Sequence, residues 1–156
     1  PVSQEGWSIA GCPVNGPAVA ANSKYVVASW FTAEGNQPRV RSAFTKDSSL
    51  QFDQALDIDQ NKPIGRTRVI AITDKTAIVI WLTAMDKLTR KTSVAARKIN
   101  IEGSMGQVKR LSEINPGRDS GVPQIAKNQS SAMIAWTQSE HPSGVRLLRV
   151  PLKKFD

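Results

Sequence analysis

The chain has 156 residues, 40% of them hydrophobic and 22% charged, with 21 Lys and Arg against 13 Asp and Glu. This excludes a disordered chain and leaves enough material for a sizeable core; no apolar stretch approaches the ~18 residues of a spanning helix, so no transmembrane segment is expected. The formal charge of +8 permits attraction to anionic partners, but the basic residues are scattered, densest at 87–98 and 146–154, without RNP sequence, zinc-finger spacing or basic helix, and nucleic acid is not an expected partner.

The N-terminal Gly6-Trp7-Ser8-Ile9 has strand character, and the chain opens at Pro1 without an initiator Met, as a processed or excised piece would. Cys12 has no second cysteine to pair with; a buried thiol is the plain reading, a disulfide to a missing part of the parent the sharper one. A first unit follows at 16–58, with strands expected at 17–21, 25–32, 38–44 and 51–58 between polar turns. The second of these is apolar on both faces, as suits a strand sandwiched between sheets. The third alternates, with Arg39 and Arg41 on one face. A second unit at 65–114 repeats the plan at 66–72, 76–83, 92–101 and 107–114. A third at 121–152 has strands at 122–126, 131–138 and 144–152 but stops before a fourth.

The units are in register. Trp30, Trp81 and Trp136 each close the second strand, at spacings of 51 and 55 residues, and Gly16, Gly65 and Gly121 each open a unit. Repeats of this length made of β-strands predict propeller blades. The expected fold is therefore all-β, a single propeller segment of about three four-stranded antiparallel blades, half of a six-bladed ring. Residues 5–10 would supply an outer strand of a preceding or closing blade. Three blades do not close a ring, so missing blades or a second copy are expected as partners.

Thr45-Lys46-Asp47-Ser48-Ser49-Leu50-Gln51-Phe52 falls at the expected turn between the third and fourth strands. It resembles the Asp-box, Ser/Thr-x-Asp-x-Gly-x-x-Trp/Phe, of sialidase-like propellers, with Thr45, Asp47 and Phe52 in the structural roles and Ser49 where the family has Gly. A hydroxyl and a carboxylate two residues apart can bond the turn's own N–H groups while the aromatic covers the hairpin. In blade rhythm the wider chain, including Gly11-Cys12-Pro13-Val14-Asn15-Gly16 and Val27-Ala28-Ser29-Trp30-Phe31-Thr32, is similar to bacterial sialidase-like Asp-box proteins. The resemblance implies a periplasmic or secreted propeller whose Asp-boxes lie on the face away from the ligand site. It does not by itself imply a working glycosidase.

By strand parity, the opposite face carries the loops between second and third strands and the connections between units. There Arg66, Arg68, Arg118 and Asp119 stand at or near the starts of innermost strands. Arginine forks suit carboxylates, including that of a sialic acid, though ion pairing between blades explains them equally, and Arg66 and Arg68, two apart, should share a face. Sialidases use a tyrosine activated by a carboxylate, with a further acid. The only tyrosine, Tyr25, sits deep in a second strand, where it packs. Glu34, Glu140 and His141 occupy loops without an orienting constellation. No catalytic residue, metal ligand set or cofactor motif is assigned. The leading expectation is a noncatalytic module that binds an anionic glycan or a protein. The alternatives are part of an exo-sialidase or other glycoside hydrolase completed outside this chain, and a structural half-propeller that self-assembles.

Overall fold

The computed structural model describes residues 1–9, 14–46 and 51–155. Eleven strands among them form three antiparallel sheets, each strand pairing with its neighbour in sequence. The first sheet contains β1 (Ala18–Ala21), β2 (Val26–Thr32), β3 (Arg39–Thr45) and β4 (Leu56–Asp59). The second contains β5 (Gly65–Ala71), β6 (Thr76–Leu82), β7 (Thr92–Asn100) and β8 (Lys109–Ile114). The third contains β9 (Gln124–Asn128), β10 (Ser131–Gln138) and β11 (Gly144–Pro151).

The apolar runs of the sequence are explained by burial on both sides of the second sheet. In β6, Ala77, Val79 and Trp81 enter a core shared with Tyr25, Val27, Val40, Phe44 and Ile58 of the first sheet. The alternate residues Ile78, Ile80 and Leu82 enter a second core with Ala132, Ile134 and Val150 of the third. All six are essentially inaccessible to solvent. Burial of an aliphatic side chain is worth ~1.5–3 kcal/mol, so the two faces of this one strand are a main contribution to holding three sheets in a stack. A 3₁₀ turn at Leu152–Phe155 then returns Phe155 to the second core.

The innermost strands β1, β5 and β9 lie side by side, and hydrogen bonds between sheets run at the repeat spacing. Asn22 Nδ2 donates to Thr73 O, and Arg66 N to Asn15 Oδ1, each across 51 residues. Lys127 Nζ donates to Ile72 O across 55. Equivalent positions of successive units thus meet at each interface. The spacing of the tryptophans and the spacing of the contacts have one cause.

Two expectations need correction. Residues 1–9 form no strand, and among the described residues nothing pairs with the outer edge of β11. Gly6 takes a left-handed backbone, φ 64°, which interrupts an extended path. The segment lies instead on the first sheet: Glu5 Oε1 accepts from Arg41 Nη1 at 2.6 Å, and Trp7 meets Phe31 edge-on with ring centroids 5.6 Å apart. The fourth strand is also later and shorter than the 51–58 expected, beginning at Leu56, with a register shift at Val40/Arg41. Within the Asp-box, Asp47 lies outside the described residues, as does Cys12. Thr45 ends β3 fully buried and Phe52 is half-buried.

Candidate functional site

The face expected to bind ligand is organised around the start of β5. Gly65 has φ 94°, and a β-carbon there would lie 2.6 Å from Asn15 Oδ1 and 2.7 Å from Phe31 Cδ2, so only glycine fits. Asn15 holds this corner from both sides, donating Nδ2–H to Ile64 O and accepting from Arg66 N. The register shift between Gly65 and Arg68 follows from the same bend.

Arg66 is 4% exposed. Its Nη1 lies within hydrogen-bond distance of Gly117 O at 2.8 Å, Gly121 O at 2.9 Å and Ser120 Oγ at 3.0 Å, and Nη2 donates to Pro116 O at 3.2 Å. The guanidinium thereby caps the 116–121 connection between second and third sheets. Burial pushes its pKa down, the Asp119 carboxylate pushes it back up, and the Arg118 charge adds to the lowering. A guanidinium starts so high that it stays charged at physiological pH. Arg66 is built into the interface, with Nη1 and Nη2 already bonded and Nε buried without a partner among the described residues.

Arg68, at the far side of the register shift, also reaches the third sheet. It is half-buried, with Nε donating to Gln124 Oε1 of β9 at 3.3 Å and Nη1 to Thr67 O at 2.8 Å. Among the described residues its Nη2 has no protein acceptor. Arg118 and Asp119 form, with Ser120, a 3₁₀ turn ahead of β9, and both are exposed. The nearby Ser139 hydroxyl, with the backbone N–H groups of Asp119 and Ser120 and the charge of Arg66, holds the Asp119 carboxyl below its ordinary range. Arg68, Arg118 and Asp119 are the accessible charges here, and Arg66 is the bolt beneath them.

Tyr25 is 3% exposed and donates its hydroxyl to Thr76 O at 2.5 Å. Burial pushes its pKa up to about 12. Neither its position nor its protonation suits a nucleophile.

Sequence reasoning missed the partners of the repeated tryptophans. Trp81 donates Nε1–H to Asp59 Oδ2 at 2.6 Å, from β6 to the last residue of the preceding sheet's outer strand. Near Trp30 the carboxylate is Glu5, which lies among Thr32, Arg41 and Trp30, although the buried Trp30 Nε1 makes no hydrogen bond among the described residues. The N-terminal segment therefore places an acid where a preceding outer strand would end, without being a strand. The signal was present: Asp59 lies 22 residues before Trp81 and Glu5 lies 25 before Trp30. It was hidden because neither acid stands in a recognisable motif.

Among the described residues there is no cluster of three or more His, Cys, Asp or Glu able to hold a metal ion, and no helix is long and apolar enough to cross a membrane. No protein-family model matches the chain, and no curated protein matches it in sequence. Among solved structures it is similar to a Hadza microbial sialidase, Hz136, with a TM-score of 0.54 and 16% identity over 87% of this chain. The chain spans 31% of that sialidase's length. At this identity the likeness concerns the fold alone. With three antiparallel sheets of four, four and three strands stacked in chain order, the chain has a sialidase-like all-β fold, a partial propeller-like one.

Proposed function

We propose that this chain is a noncatalytic, sialidase-like binding module whose inner edge takes a carboxylate-bearing glycan, and that it works as part of a larger ring. The observation that carries this reading is the fate of Tyr25. The one phenol in the chain is committed to a backbone carbonyl inside the core between first and second sheets. Arg68 supports the binding half of the reading, since the free arm of its fork and the exposed Arg118 offer donors to an anion. The larger ring is supported by the outward face of the third sheet, where Val145 and Leu147 are 77% and 65% exposed on β11. Such a face suits burial against a further sheet, from missing blades or a second copy. An exported location, periplasmic or secreted, fits a module that meets glycans.

A glycan array comparing sialylated with desialylated structures tests the reading, with the double variant Arg68→Met, Arg118→Met as control. Selective binding of the sialylated set, lost in the variant, is the expected result. Equal signals on both sets, or binding unchanged in the variant, would overturn it, and capture of a protein without glycan binding would give the site to a protein partner. A second reading is part of a glycoside hydrolase, favoured by the fact that the similar sialidase is roughly three times longer, as a 31% span implies. Release of fluorophore from a sialoside by the complete parent, lost on changing Arg68 or Arg118, would favour it.

A further inference from the structure

The three tryptophans occupy one position in the repeat, yet their indole N–H groups are treated differently. Trp81 is sealed by Asp59, Trp30 Nε1 is buried with Glu5 near it but no hydrogen-bond partner among the described residues, and Trp136 faces an open cleft. The residues that end the second sheet's outer strand, where Asp59 ends the first, are Ile114 and then Asn115. No carboxylate ends that strand, and among the described residues no acceptor is hydrogen-bonded to Trp136 Nε1. In its place is a cleft of about 280 Å³ between the second and third sheets, lined by Trp136, Glu113, Asn115, Ser139, Glu140 and Arg146 among others.

We propose that this cleft is a binding site for one neutral pyranose unit, separate from the inner-edge arginines. Trp136 packs on the second core, which fixes one side of its ring and leaves the rest half-exposed. Arg146 is its direct cross-strand partner on β11 and is held by a 2.6 Å bond from its Nε to Gln138 Oε1. Glu140 is anchored across the sheets by Lys91. An apolar ring edge beside two carboxylates, an amide and a fixed guanidinium matches a polyol with an apolar face. Ring hydroxyls would donate to Glu113 and Glu140, and a ring or acetal oxygen would accept from Trp136 Nε1 in the place taken at Trp81 by Asp59. Glu113 and Glu140 are balanced by Arg146 and Lys91, so the cleft carries no surplus positive charge to draw an acidic sugar. A volume just below the ~300–1,000 Å³ of ligand pockets limits occupancy to about one residue.

The experiment is a ¹⁵N NMR titration of the chain with methyl glucoside, methyl galactoside and N-acetylglucosamine, with sialyllactose as the acidic arm. The four tryptophans give four indole N–H signals, assigned by single substitution. Saturable movement of the Trp136 signal with at least one neutral sugar at millimolar concentration is expected. Trp136→Phe, which keeps an aromatic face and loses the donor, should weaken binding ~3–10-fold, the worth of one net hydrogen bond. Should that variant fail to fold, Glu113→Gln, at an exposed position, should weaken binding while leaving the other three indole signals in place. Arg68→Met should leave the sugar response unchanged, so this site and the inner-edge reading fail separately. No movement of the Trp136 signal with any neutral sugar, or movement with sialyllactose alone, would overturn the proposal.

Discussion

Replacing Arg66 with Met removes the guanidinium while keeping most of the unbranched stem, and it tests whether the second and third sheets are fastened through this side chain. Three contacts to Nη1 share two protons, so with the Nη2 bond to Pro116 O they amount to about three effective bonds. Bonds to a charged donor contribute ~1.5–3 kcal/mol each, so at the low end the loss is about 4.5 kcal/mol. Against this stands the desolvation of a 4% exposed cation, which the variant no longer bears; allowing ~1–2 kcal/mol for it leaves a net destabilisation of about 3 kcal/mol. With a urea m-value of ~2 kcal/mol/M, the midpoint should fall by about 1.5 M at unchanged m. Hydrogen exchange should report the same event locally, because the amides of Ser120 and Gly121 bond within the capped turn and would lose protection first. A midpoint shift below about 0.5 M would refute the reasoning. It would mean that the carbonyls of 116–121 find water as readily as the guanidinium.

Gly65→Ala should destabilise by ~2 kcal/mol or more, because φ 94° is strained for any L side chain and the new carbon would meet Asn15 and Phe31; a melting temperature within about 2 °C of the parent's would contradict this, since ~2–4 °C is expected per kcal/mol. Trp81→Phe should cost ~2 kcal/mol by leaving Asp59 Oδ2 without its donor, and urea titration showing no loss would remove the bond from the account. Glu5 supplies a pH test. Burial raises its pKa, but contacts with Thr32, Arg41 and Trp30 more than offset this and hold it below the ordinary value. Its contribution is then fully present above the unfolded pKa of ~4.3 and is lost as pH falls through the lower folded value. The stability difference between the parent and Glu5→Gln should therefore narrow below about pH 4.3; a difference that stays constant down to acid unfolding would show that the carboxylate's charge is not what holds the N-terminal segment.

What the sequence determined by itself was periodicity. The apolar run at 76–83 specified a strand, and in the structure β6 is buried between two sheets, with Ala77, Val79 and Trp81 on one side and Ile78, Ile80 and Leu82 on the other, the arrangement that the sequence suggested for 25–32. The 51- and 55-residue spacings specified stacked equivalents, and contacts such as Asn15 with Arg66 obey them. Tertiary structure decided which polar groups those equivalents satisfy. Arg66 and Arg68 are indistinguishable by parity, yet the depth of the bend at Gly65 buries one against four oxygens and leaves the other with a free arm. Glu5 reads as part of a strand, but Gly6 turns it onto Arg41. The missing partner of Trp136 is invisible in the sequence for the same reason: the repeat shows three equal tryptophans, whereas the carboxylate bonded to Trp81 comes from the end of the preceding outer strand, and only folding brings it to the indole.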